Sequence, residues 1–84
     1  MKNQNIITTL KKDISELKTL KQDYKFNRVF CFGVYSIILN FFISGCDYCF
    51  NKTFREIQFK NKINANNFID LLNKEMKPEL KPFI

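Results

Sequence analysis

Histidine is absent from this 84-residue chain, and glycine and proline occur only twice each. Without His, neither a Ser-His-Asp nor a Cys-His arrangement can be assembled within the chain, so any chemistry here rests on carboxylates. So few Gly and Pro, with no internal repeat, exclude collagen-like, linker-like and solenoid architectures. Cysteine is sparse and odd in number, three in all, which does not suit a small secreted scaffold stapled by disulfides. Cys46 and Cys49 do form a C-x-x-C. A closed zinc site needs four ligands, however, and Cys31 is the one remaining thiol. The expectation is buried, reduced thiols in a cytoplasmic protein.

What the chain does contain is apolar and basic. Hydrophobic residues make up 45% of it and include ten Phe and three Tyr, which excludes a disordered tail. Fourteen Lys and Arg against eight Asp and Glu give +6 and a pI near 9.4, which favours anionic partners. The length allows one domain spanning residues 1–84, which would bury roughly 60–65% of the surface its unfolded chain exposes.

Ile6, Ile7, Leu10, Ile14, Leu17, Leu20 and Tyr24 recur at intervals of three and four, predicting an amphipathic helix over 4–24. Lys11, Lys12, Asp13, Glu16, Lys18, Lys21 and Asp23 would fill its polar face. Val29 to Cys46 is eighteen residues without a charge and admits two readings. One is a single membrane span near 29–46. Seven basic residues precede that span and seven follow it, so the positive-inside rule assigns it no orientation. The other divides it into a strand near 28–33, a turn at Gly33, a helix over 34–42 and a strand at 46–50. Thr53 and Glu56 stand at capping-box spacing, predicting a helix over 54–64. Asn64, Asn66 and Asn67 read as a turn, 67–72 as a strand carrying Asp70, and Pro78 as the start of a last helix over 78–83. The soluble reading is an α/β fold, a small mixed three-stranded sheet covered by helices.

Two segments then carry a resemblance. Tyr24-Lys-Phe-Asn-Arg-Val-Phe-Cys-Phe-Gly33 resembles the strand and turn that open the minimal nucleotidyltransferases of the DNA polymerase β superfamily. In that family a strand ends in Phe-Gly-Ser, a short helix follows, and a Ser-Asp-x-Asp-Leu strand carries two metal-binding aspartates. Phe32-Gly33-Val34 stands at the turn, and Ser44-Gly45-Cys46-Asp47-Tyr48 at the second strand. Phe68-Ile-Asp-Leu-Leu72 and the following Lys-Pro-Glu-Leu-Lys-Pro look like the family's third-aspartate strand and the helix start beyond it.

The resemblance implies a nucleotidyltransferase-like domain with Gly33 and Val34 at the nucleotide phosphates and Asp47 and Asp70 as metal ligands. It further implies that Asp70 helps to activate the acceptor hydroxyl, with Mg²⁺ and ATP or another NTP as cofactors. Glycine would let the backbone approach a triphosphate, and two metal ions would stabilise attacking and leaving oxygens. Two departures oppose full activity. The family's serine is Val34, and its first metal aspartate is Gly45, so weak or lost transfer is expected. Relatives commonly serve as the antitoxin of a HEPN-type toxin, which makes such a protein the implied partner. They also usually continue past the last helix start, so a shortened C-terminus is expected. A further reading, a basic nucleic-acid-binding module, finds no helix-turn-helix or aromatic-stacking motif in the sequence.

Overall fold

The computed structural model describes residues 2–44 and 49–84. The chain runs α1 (Lys2–Thr19), β1 (Tyr24–Cys31), β2 (Val34–Ser44), β3 (Cys49–Phe59) and α2 (Lys62–Met76). The three strands form one sheet in the order β1-β2-β3, both pairings antiparallel, with α1 and α2 packed on one face. The expected α/β class, a three-stranded sheet covered by helices, is present. Its strands are antiparallel throughout rather than mixed.

Helix α1 follows the predicted apolar stripe, burying Ile7, Leu10, Ile14 and Leu17. It stops at Thr19, short of Tyr24, because Lys21 turns left-handed at φ 57°. The Gln22 amide then donates to the Leu17 carbonyl at 2.9 Å, closing the helix end.

The segment expected as a helix over 34–42 is strand β2, so residues 29–44 form the end of one strand, a turn and a second strand. Val34, Tyr35, Ile37, Ile38, Phe41 and Phe42 are β-branched or aromatic and fit a pleated surface better than a helix. No helix among the described residues is long and apolar enough to cross a membrane. The β1–β2 connection is a two-residue turn between the paired Cys31 and Val34. Phe32 and Gly33 both have positive φ, 52° and 75°, which is the two-residue turn that matches the right-handed twist of a hairpin. Gly33 is needed for that dihedral, not for space, since nothing would meet a Cβ there.

Residues 54–59 of the predicted helix over 54–64 are instead the second half of β3, and 62–64 open α2. Ile57 and Phe59 alternate with exposed Glu56, Gln58 and Lys60, and the register slips by one residue opposite Leu39 and Asn40. The capping signal lies further on. Asn61 Oδ1 accepts from the Ile63 amide at 2.8 Å and the Asn64 amide at 3.2 Å. Helix α2 therefore runs through the asparagines expected as a turn, and residues 67–72 are helical rather than a strand. Ala65, Phe68, Ile69 and Leu72 supply its buried face.

The core joins these faces to Phe26, Ile37, Leu39 and Phe83. Residues 77–84 are not the expected helix. After the left-handed Lys77 and Glu79 they carry no regular structure and lie back along α2.

Candidate functional site

The residues implied by the resemblance fall in different surroundings from those expected. Gly33 occupies the hairpin turn and precedes a strand, so no helix N-terminus follows it to receive a phosphate. Val34 is the first residue of β2 and pairs with Cys31. Asp70 is an exposed residue of α2, not a member of a strand beside a metal site. Asp47, with Gly45, Cys46 and Tyr48, lies outside the described residues. Among the described residues no three His, Cys, Asp or Glu side chains stand together as a metal site would require. Cys31 is exposed, not buried, because it sits on the outer side of β1, away from the helices.

A groove of about 520 Å³ does open between α1, the start of β1 and the end of α2, lined by Lys11, Lys18, Tyr24, Phe26 and Met76. None of Gly33, Val34 and Asp70 lines it. Lys11 is already engaged there, with Nζ 3.0 Å from Glu75 Oε1 in an exposed pair.

The unusual surface lies at the hairpin end of the sheet. Tyr35 pairs with both Phe30 and Phe59, so the β1–β2 turn and the β3–α2 junction are at the same end. That end carries Phe32, 99% exposed, and Phe30, 57% exposed. An apolar side chain fully in water gains nothing from burial, and a non-glycine residue at positive φ is strained by roughly 1–2 kcal/mol. Phe32 bears both costs. Other aromatic rings lie close together at this end of the sheet. The Phe30 and Tyr35 rings stack at 4.6 Å, and Tyr35 meets Phe83 edge-on at 5.0 Å. The Arg28 guanidinium sits 5.3 Å from the centre of the Phe83 ring, leaving its charge at the surface.

Arg28, Lys60 and Lys62 are exposed, and the first turn of α2 contains no acidic residue. A helix N-terminus there adds a further positive field. Sequence reasoning missed Phe32 because it stands within an apolar run, where phenylalanine reads as core. Its neighbour Gly33 was the one usable signal, since a two-residue turn must place the residue before the glycine outside the sheet.

No protein-family model, curated protein or solved structure matches the chain.

Proposed function

We propose that this protein binds unpaired nucleic acid through the hairpin end of its sheet. The observation that carries the reading is Phe32, an aromatic ring fully in solvent on a two-residue turn, with Arg28, Lys60 and Lys62 exposed at the same end of the sheet. Aromatic rings that stack on bases, together with cations that track the backbone, are what single strands require. Phe32 would stack on a base, and Arg28, Lys60 and Lys62 would lie along the phosphates. The net charge of +6 adds long-range attraction for a polyanion. A bilayer surface is the weaker match, because one fully exposed ring provides little apolar area to insert. The nucleotidyl-transfer reading is likewise a weaker match, because Gly33 is followed by a strand and Asp70 lies on an exposed position of α2.

The test is fluorescence anisotropy with a labelled twelve-nucleotide oligo-U. Phe32→Asn is expected to weaken binding about tenfold, the loss of one stacked base. The same change should raise folding stability by up to about 1 kcal/mol, because Asn tolerates the left-handed turn better. Reversing charge at Lys60→Glu and Lys62→Glu should flatten the salt dependence, which for three phosphate contacts has a slope of about −2 in log–log form. Unchanged affinity in Phe32→Asn would refute the reading. Capture by phosphatidylserine vesicles with no oligonucleotide binding would assign the end to a membrane surface. Mg²⁺-dependent ATP binding that ignores both sets of substitutions would restore the nucleotidyltransferase reading.

A further inference from the structure

Residues 80–83 lie against α2 in a way that resembles a bound peptide more than a chain end. Asn73 Nδ2 donates to the Leu80 carbonyl at 2.8 Å, and its Oδ1 accepts from the Leu80 amide at 2.9 Å. Asn66 repeats this with Phe83, donating to its carbonyl at 3.0 Å and accepting from its amide at 2.7 Å. The two asparagines are seven residues apart, about 10.5 Å along one helix face. Leu80 and Phe83 are three residues apart, about 10 Å of extended chain. The two repeats match, so each side-chain amide clamps the full backbone polarity of one residue. Phe83 then fills a pocket against Tyr35 and Arg28, 94% buried.

The connection into this groove is strained. Lys77 and Glu79, on either side of Pro78, are both left-handed, at φ 57° and 59°. Neither is a glycine, so the direct path from α2 into its own groove is held in a costly conformation. Every contact that retains the tail is made to residues of the folded body, and a second copy's body would offer the same set. Strained short hinges favour this kind of exchange.

We propose that the Asn66–Asn73 groove is a peptide-binding site that accepts residues 80–83 of a second copy, with Lys77–Glu79 as the opening hinge. The paired chains swap tails, each tail antiparallel to the partner's α2. The inference does not rest on nucleic-acid binding, although Arg28, which lies on the Phe83 ring, belongs to both surfaces.

Sedimentation equilibrium of the full chain from about 10 µM to 1 mM should show a concentration-dependent dimer. In a mixture of isotope-labelled and unlabelled chains, intermolecular nuclear Overhauser contacts should join the Phe83 ring of one copy to Tyr35 of the other. Lys77→Gly and Glu79→Gly remove strain from the closed hinge without touching the core. Each should weaken the dimer about fivefold. A chain that stays monomeric throughout the range overturns the proposal. A dimer whose Phe83–Tyr35 contacts are all intramolecular overturns it too, as does a dimer indifferent to both glycines.

Discussion

Phe68→Ala is expected to lower the stability of the fold by about 3–5 kcal/mol, the range for removing a fully buried phenylalanine ring. The side chain has no exposed surface and stacks on Phe59, ring centres 5.4 Å apart, so it joins α2 to β3. It also belongs to the cluster that includes Ile7 and Leu10 of α1 and Ile37 of β2. A cavity there would border both helices and the sheet. A domain of this size has on the order of 4–13 kcal/mol in total, so the loss is a large share. Thermal unfolding should move down by about 15–30 °C, at roughly 4–8 °C per kcal/mol for a chain this short. Ile63→Ala on the same helix is the control. Its side chain is 67% exposed, and the change should stay within about 0.5 kcal/mol. A shift of less than about 5 °C for Phe68→Ala would mean that α2 is not packed on the sheet as described.

Phe68 also shows where the sequence is ambiguous. In Phe68-Ile-Asp-Leu-Leu72 a single acidic residue interrupts an apolar run, which suits a short strand as well as one and a half turns of helix. The three asparagines upstream suit a turn equally well. Only the capping role of Asn61, four residues before Ala65, shows that a helix has already begun. The α1 stripe was legible because seven apolar residues, Ile6 to Tyr24, keep one phase over nineteen positions, enough to outweigh local noise. Strand β2 was not, since a continuous apolar run fits a buried helix, a span or a strand equally. Alternation appears only once its neighbours are known. Tyr35, Ile37, Leu39 and Phe41 face the helices, while Ser36 and Asn40 face the open side. The turn at Gly33 was legible and the exposed ring before it was not, because exposure belongs to the assembled hairpin. The asparagine clamp depends on a seven-residue spacing that means nothing until the tail folds back.

Asp13 is the sharpest case of a residue that helical phase alone misplaces, and it carries the second large effect. It sits among the charges of α1, yet its side chain is 8% exposed. Arg55, on the inner side of β3, reaches it with two hydrogen bonds, Nε to Oδ2 at 2.7 Å and Nη2 to Oδ1 at 3.0 Å. This planar fork is the strong form of a carboxylate–guanidinium contact. Hydrogen bonding to Asp13, and then its charge, raise the Arg55 pKa from an already high value. Arg55 therefore keeps its positive charge throughout the ordinary pH range. Arg55→Ala should cost about 2–3 kcal/mol, because a buried carboxylate loses its partner and burial denies it water. The arginine itself is 45% exposed, so the loss falls short of that for a fully enclosed pair. Arg55→Lys should fall between, keeping the charge while losing one arm of the fork. The double change Asp13→Leu with Arg55→Met removes both charges and fills the space with apolar atoms, and should recover most of the stability. Urea unfolding of the four proteins at pH 7 measures each step. If Arg55→Ala costs less than about 0.5 kcal/mol, or the double variant is no better than Arg55→Ala, then Asp13 is solvated in practice. The α1–β3 contact would in that case rest on apolar neighbours such as Ile6 beside Ile57.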